Sequence, residues 1–188
     1  MTFRQNLLAR IYPIYRAISH LIHFRSKIKS SNAKPLVPFY SLKMQLNNGD
    51  IFSFEQLKGK KVIIVNTASD CIYTVQYADL QKLYSESAGN LMILAFPSND
   101  FKQQEKGDDS VIADFCQRQF HITFPIMHKS GVLRKGEQNP VYQWLTHANL
   151  NGWNNSTPSW NFCKYLVNEE GHLTHFLESN ASPLYFFR

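Results

Sequence analysis

The residues of this chain best suited to chemistry are its three cysteines, Cys71, Cys116 and Cys163. Cys71 lies in the stretch NTASDCIYTVQY, between a strand-like run and a helix-like run. A helix that begins near Thr74 would direct unpaired N–H groups and a partial positive charge towards the sulfur, which favours the nucleophilic thiolate. A lone cysteine is also commonly a small apolar residue of the core, so its position alone leaves both interpretations open.

The cysteine pattern argues against two common classes of protein. Three is an odd number and no two cysteines are separated by two residues, so neither a disulfide scaffold nor a zinc knuckle is indicated. His172 and His175 lie three apart on a predicted strand and therefore face opposite sides. We expect no metal site and no cofactor.

The positive charge of the chain is concentrated at its N-terminus. The formal net charge is +6, but residues 1–35 hold seven of the 20 lysines and arginines and none of the acidic residues. The remainder is close to neutral and has no basic face to neutralise phosphates, so a nucleic-acid-binding protein is not expected.

Residues 1–35 are predicted to form a basic amphipathic extension to a domain that spans residues 36–188. Apolar residues recur there at helical spacing, and no run is long enough to span a membrane. Three interpretations stay open: residues 1–30 lie on an anionic membrane surface, act as an organelle presequence, or dock on the domain. We expect a cytoplasmic protein, with membrane-surface association or organelle targeting as alternatives.

Strand-like and helix-like segments alternate through the domain. Two compact runs rich in β-branched or apolar residues predict strands buried on both faces, at 60–69 and 90–98. Each is followed by a segment with the spacing of an amphipathic helix, at 75–86 and 108–120. This alternation predicts an α/β fold whose sheet is covered on both faces, with Cys71 at the carboxyl end of a strand, where sites form.

Three shorter signals complete the predicted elements. Asn48-Gly49 can supply the turn of a hairpin. Asn139 followed by Pro140 has the residue types of a helix cap and a first helical position. Residues 161–177 are predicted to form a strand, a Glu-Gly turn and a second strand.

Four blocks of the sequence together resemble the glutathione peroxidase family, in the same order and with similar spacing. They are NTASDCIYTVQY, FPSNDFKQQEKG, DFCQRQFHITFPI and SWNFCKYLVNEEG, and the resemblance covers about residues 38–178. It implies a thioredoxin-like fold with a central mixed sheet. It also implies that Cys71 is the peroxidatic residue, where some members carry selenocysteine, and that Gln104, Trp160 and Asn161 surround it.

These residue types suit the reduction of hydrogen peroxide or of organic and lipid hydroperoxides. A thiolate attacks one peroxide oxygen, and negative charge moves onto the other as it leaves. The indole N–H of Trp160 and the amides of Gln104 and Asn161 are neutral donors that can stabilise this charge without titrating. The product on Cys71 is a sulfenic acid, which a thiol then condenses with.

Cys116 matches the position of the resolving cysteine in family members that use thioredoxin. The resemblance therefore favours thioredoxin over glutathione as the electron donor, and a glutathione-dependent enzyme with an inert Cys116 is the alternative. Cys116 also shares an apolar helix face with Val111, Ile112 and Phe115, so a buried packing residue is an alternative. Its disulfide with Cys71 would require the helix to unwind locally, since bridged Cα atoms lie within about 7 Å. Cys163 is interpreted as a packing residue.

Five positions depart from the family pattern near these residues. Ile72 stands where the family has Gly, Val75 where it has Pro, Ser98 where it has the Cys of FPxN, and Lys102-Gln103 where it has Gly-Gly. If the first Gly position requires a positive φ, Ile72 would distort the loop. The adjacent Gln103 also makes the assignment of Gln104 ambiguous by one position.

The C-terminal region also departs from the family. We expect no counterpart of the family's closing helix after residue 177, and we expect the leader helix or the tail, residues 184–187, to cover the sheet face. The segment before Trp160 is too short for the assembly loop of tetrameric members, which predicts a monomer. Two alternatives to an enzyme remain: a peroxide sensor that passes its oxidation to a partner, and an inactive thioredoxin-like adaptor.

Overall fold

The computed structural model describes residues 28–184, together with residues 10, 11 and 14 of the leader. Those three are helical, and the side chains of Ile11 and Ile14 are exposed. The rest of the predicted leader helix and residues 185–188 lie outside the described residues. Among the residues described, no helix has both the length and the apolar character needed to cross a bilayer.

The elements follow the predicted alternation of strands and helices. The strands are β1 Ile28–Ser30, β2 Lys43–Gln45, β3 Ile51–Ser53, β4 Lys61–Thr67, β5 Leu91–Pro97, β6 Lys164–Val167 and β7 Leu173–Leu177. The α-helices are α1 Gln76–Glu86, α2 Asp109–Phe120, α3 Pro140–Thr146 and α4 Ala148–Asn151. Short 3-10 helices occupy Phe39–Ser41, Phe54–Leu57 and Ile72–Val75.

The central sheet has five strands in the order β1-β7-β6-β4-β5. β4 and β5 are parallel and joined through α1, whereas the other neighbours are antiparallel. β2 and β3 form a separate hairpin whose turn uses Gly49 at a φ of 95°. The structure thus has the mixed sheet flanked by helices that the sequence predicted.

β1 lies inside the range predicted to be an extension of the domain. It pairs antiparallel with β7, with Ile28 opposite Leu177 and Ser30 opposite His175. The end of the leader is therefore an edge strand of the sheet. Three residues are too few to show a strand periodicity, so the sequence contained no readable signal for this element.

Two apolar clusters cover the two faces of the sheet, and β4 contributes to both. Val62 and Ile64 face one cluster, whereas Ile63 and Val65 face the other. The second cluster holds α1, α2, Cys71 and Cys116, and Leu184 of the tail packs against it. Both reactive-thiol candidates therefore lie on the same face of the sheet.

The predicted caps hold two of the helices in place. The Oδ1 of Asn139 accepts a hydrogen bond from the N–H of Tyr142 at 2.9 Å, with Pro140 in the first turn of α3. The Oδ1 of Asp108 accepts from the N–H of Val111 at 3.0 Å and caps α2. These side chains satisfy N–H groups that a helix start leaves unpaired.

Candidate active site

Cys71 lies between the end of β4 and the 3-10 helix Ile72–Val75, and only 2% of its surface is exposed. The N–H of Tyr73 donates to its sulfur at 3.5 Å. The hydroxyl of Thr74 accepts from the N–H of Cys71 at 3.1 Å and donates to the carbonyl of Ala68 at 2.8 Å. Thr74 thus closes the loop around the thiol. The sequence prediction missed it, although a Thr three residues after a cap position is a weak signal.

The departures at Ile72 and Val75 leave the backbone unstrained. Ile72 has helical backbone geometry and is not among the residues with a positive φ. Val75 has φ −61° and ψ −17°, which is the φ that a proline adopts. The loop distortion considered for Ile72 does not occur, because Ile72 begins a 3-10 helix that leads directly into α1.

Backbone strain falls instead on the turn before Gln104. Lys102 has a φ of 50° and Gln103 a φ of 52°, the left-handed region where the family pattern has two glycines. A side chain costs about 1–2 kcal/mol in this region. The amine of Lys102 lies 5.5 Å from the centroid of the Trp160 ring, so this turn places a cation beside the site.

The substitution Gln103→Gly is expected to raise the free energy of unfolding by roughly 0.5–1 kcal/mol. Glycine removes the left-handed strain, and its greater freedom in the unfolded chain offsets part of the gain. Denaturant titration monitored by circular dichroism measures the change. Gln117→Gly, at an exposed position of α2, is the matched control and should lose about 1 kcal/mol. A loss of stability at both positions would contradict the expectation.

Asn66, the penultimate residue of β4, fixes the segment that carries Trp160 and Asn161. Its amide donates to the carbonyl of Trp160 at 3.0 Å, and its Oδ1 accepts from the N–H of Cys163 at 3.1 Å. Its own carbonyl accepts from the N–H of Phe162. Asn66 is fully buried and was not found from the sequence, because its partners lie about a hundred residues away.

The structure brings Gln104, Trp160 and Asn161 to Cys71. The amide of Asn161 donates to Oε1 of Gln104 at 2.9 Å, and the N–H of Asp70 donates to the carbonyl of Gln104 at 3.0 Å. The side-chain donors of Asn161 and Trp160 interact with the sulfur of Cys71. Gln103 is exposed, whereas Gln104 is bonded to Asn161, so the contacts favour Gln104 of the two glutamines.

Burial dominates the electrostatics of the thiol and raises the pKa of Cys71 above its ordinary value. The N–H of Tyr73 and the side chains of Asn161 and Trp160 lower this pKa, whereas the charge of Asp70 raises it further. The prediction of a thiolate stabilised at rest was therefore wrong in direction. Removal of water around the sulfur outweighs the donors that surround it.

The other two cysteines are buried free thiols. Cys116 lies on α2 and is 1% exposed; burial raises its pKa to about 12, although the Tyr77 hydroxyl lowers it. Cys163 packs in the opposite cluster, with its sulfur 3.3 Å from the hydroxyl of Ser179. In the described part of the chain, no three His, Cys, Asp or Glu residues are grouped so as to hold a metal ion.

The fold and the buried thiol at the end of β4 define a thioredoxin-like protein. A DsbF homologue from Corynebacterium diphtheriae has the same fold with a TM-score of 0.61, over 87% of this chain and 91% of that one. The two sequences are 12% identical, so this likeness concerns the fold alone.

The family follows from two further comparisons. The model of the glutathione peroxidase family matches residues 39–146. A glutathione peroxidase-like peroxiredoxin of Chlamydomonas reinhardtii is 42% identical over 146 residues, which cover 77% of this chain and 89% of that protein. The crystal structure of Trgpx in apo form has a TM-score of 0.62 at 28% identity, over 80% and 91% of the two chains.

The chain belongs to the glutathione peroxidase family. It is a thiol peroxidase that reduces peroxides, and the resemblance seen in its four sequence blocks is confirmed. The inactive adaptor and the pure sensor are not favoured.

Proposed function

We propose that Cys71 is the nucleophile of this peroxidase and that Gln104, Trp160 and Asn161 stabilise the charge on the leaving oxygen. The supporting observation is that the side chains of Trp160 and Asn161 both interact with the buried sulfur of Cys71. Gln104 is hydrogen-bonded to Asn161. Gln104 is distant in the chain from the adjacent Trp160 and Asn161, and all three side chains stay neutral at every physiological pH.

The proposed first step is Cys71–SH + ROOH → Cys71–SOH + ROH. The sulfur forms a bond to one peroxide oxygen, the O–O bond breaks, and the electron pair leaves with the other oxygen. Because the buried thiol retains its proton at rest, that proton is available to the departing alkoxide or hydroxide. The Oδ1 of Asn161 is buried without a partner among the described residues, and a hydroperoxide O–H would supply one.

We further propose that thioredoxin reduces the enzyme through a disulfide between Cys71 and Cys116. Both thiols belong to the same apolar cluster, and neither is engaged in a disulfide at rest. Cys116 lies in the last turns of α2, where a helix opens most readily. Glutathione is the alternative donor, and with it Cys116 would be inert.

The electron donor is tested by peroxide consumption coupled to NADPH oxidation, with the thioredoxin system and with the glutathione system. Cys116→Ser is expected to lose about tenfold or more of the thioredoxin-supported rate, because the sulfenic acid has no internal thiol to condense with. Its first turnover should remain, since Cys71 is intact. Cys163→Ser is the matched control and should resemble the wild type. Unchanged thioredoxin turnover in Cys116→Ser would contradict the resolving role.

The remaining predictions concern the oligomeric state of the enzyme, its location in the cell and its contact with membranes. We propose a monomer in the cytoplasm, with residues 1–30 in peripheral contact with anionic membrane. The basic charge of the leader and the exposure of Ile11 and Ile14 support this contact. Sedimentation with anionic and with neutral vesicles measures it, and equal recovery from both would exclude an electrostatic contact.

A further inference from the structure

The mouth of the Cys71 site combines an apolar surface with one positive charge. Ile72 and Tyr73 directly follow the thiol, and with Trp160 they are partly exposed and pack against the apolar cluster that holds it. The amine of Lys102 lies 5.5 Å from the centroid of the Trp160 ring. We call the side chains of Ile72, Tyr73, Lys102 and Trp160 the thiol rim. An apolar surface beside a cation is complementary to an apolar molecule that carries a negative charge at one end.

The backbone holds Lys102 at this position in a strained conformation. Its φ of 50° and the φ of 52° at Gln103 lie in the left-handed region, which favours glycine. The family pattern has two glycines here, so a cation beside Trp160 is a feature of this chain. Strained residues persist where the surrounding structure enforces them, and they concentrate at sites that bind or react. The strain therefore calls for a function of the side chain at position 102.

The amine of Lys102 is available to an anionic ligand. The ion pairs among the described residues involve other cations, and Lys102 forms none of them. The carboxylate two positions earlier, that of Asp100, accepts hydrogen bonds from the N–H groups of Val132 and Leu133 at 2.7 and 3.0 Å. Lys102 is exposed, and an ammonium group above an aromatic ring keeps N–H donors for a further partner.

The indole ring of Trp160 determines the size of the ligand. Its N–H interacts with the sulfur of Cys71, whereas the amine of Lys102 lies over the ring. A peroxide group at the sulfur and an anion at the amine are thus separated by the ring and must be several bonds apart in one molecule. A fatty-acid hydroperoxide meets this condition, because its carboxylate and its peroxide group are joined by an apolar chain. The single charge of a carboxylate also matches one ammonium group, which acts as a point charge.

We propose that Lys102 is a specificity-determining residue: it binds the carboxylate of a fatty-acid hydroperoxide, whose apolar chain lies along Ile72, Tyr73 and Trp160. The inference rests on the proposed role of Cys71 as the nucleophile and adds the substrate class. An uncharged hydroperoxide of the same length would contact the apolar part of the rim and would leave Lys102 without a partner.

The chemical step is unchanged by the added contact. The sulfur forms its bond to one peroxide oxygen, the O–O bond breaks, and the thiol proton goes to the departing oxygen. The product is a hydroxy fatty acid that keeps its carboxylate. Because Lys102 is exposed to water, the expected gain over an uncharged ester is about two- to fivefold, the range for an exposed ion pair.

The test compares linoleic acid hydroperoxide with its methyl ester, each as a monomer in solution. The two substrates share the peroxide group and the chain and differ in the negative charge, which is present near pH 8. The rate constants for sulfenic acid formation on Cys71 are measured in single turnovers of the reduced, full-length protein, and the ratio of acid to ester is the charge preference. The wild type should show a preference of about two- to fivefold, and Lys102→Gln should lower it to about 1. A ratio taken within one protein cancels any effect of the substitution on the thiol itself.

Three further variants make the result specific. Lys102→Arg keeps the charge and should keep a preference for the acid, whereas Lys102→Glu should invert it. Lys106→Gln removes an exposed cation four residues later, with the same change in net charge, and should keep the preference of the wild type. An ionic strength of about 0.5 M should lower the preference of the wild type, because an exposed ion pair is screened. A preference that Lys102→Gln leaves unchanged, or that Lys106→Gln lowers equally, would overturn the proposal.

A binding measurement separates this inference from the proposed function. The unreactive hydroxy fatty acid and its methyl ester are titrated into Cys71→Ser, and the indole N–H resonance of Trp160, assigned with Trp160→Phe, is followed by NMR. The acid should bind about two- to fivefold more tightly than the ester, and adding Lys102→Gln should remove the difference. If the wild type forms no sulfenic acid on Cys71, the proposed nucleophile fails, and the titration still decides whether Lys102 binds the carboxylate. Equal binding of acid and ester with Lys102 in place would reject the contact.

Discussion

Replacing Cys71 by serine is expected to lower the rate of peroxide consumption by at least about 1000-fold. The serine hydroxyl is not ionised at physiological pH and is a poor nucleophile towards an O–O bond, whereas the three surrounding donors remain in place. Peroxide consumption by the purified protein, with hydrogen peroxide and with an organic hydroperoxide, measures the loss.

Cys163→Ser provides the matched control for this substitution. Cys163 is as deeply buried as Cys71 but packs in the cluster on the opposite face of the sheet. A change at this position reports any general effect of replacing a buried thiol in this protein. Cys71→Ser activity within tenfold of the wild type would refute Cys71 as the nucleophile.

Replacing Asn161 by alanine is expected to lower the rate of sulfenic acid formation by roughly 100-fold, the loss typical of removing one transition-state donor. The substitution removes the interaction with the Cys71 sulfur and the hydrogen bond to Gln104 at once. Since the Asn161 side chain lowers the pKa of Cys71, its loss should raise that pKa further. The thiolate population at neutral pH then falls as well.

The pH dependence distinguishes this effect from a general loss of structure. In the wild type, alkylation of Cys71 by iodoacetamide should accelerate up to and beyond pH 9, because burial holds the thiol in its protonated form. Asn161→Ala should move this profile to higher pH. Asn149→Ala, at an exposed position, serves as the control. If Asn161→Ala left the pH profile of Cys71 alkylation unchanged and lowered the rate of sulfenic acid formation by less than threefold, the role assigned to Asn161 would be contradicted.

The elements next to the thiol could be predicted because their signals are local. The buried strand β4, the amphipathic helices α1 and α2, and the cap at Asn139 each depend on residues within a few positions of one another. The edge strand β1 was missed because the strand it pairs with, β7, lies nearly 150 residues later. Its three residues have no pattern of their own.

The residue types show where the chain departs from the family pattern. They do not show which of these departures strain the backbone, because that depends on the φ angles of the folded chain. A β-branched residue at position 72 is harmless because the chain enters a 3-10 turn there. Among the five departures, the left-handed residues are Lys102 and Gln103, whereas the sequence had raised the question of a positive φ only for Ile72.

The sequence by itself determined the fold class, the family and the candidate residues Cys71, Gln104, Trp160 and Asn161, because residue types and their order carry that information. Only the tertiary structure decided how these residues are held and in which protonation state they rest. Asn66 acts through partners distant in the chain, and the pKa of Cys71 is a balance between burial and donors from two separate segments. Burial and distance exist only once the chain has folded, so neither can be read from local spacing.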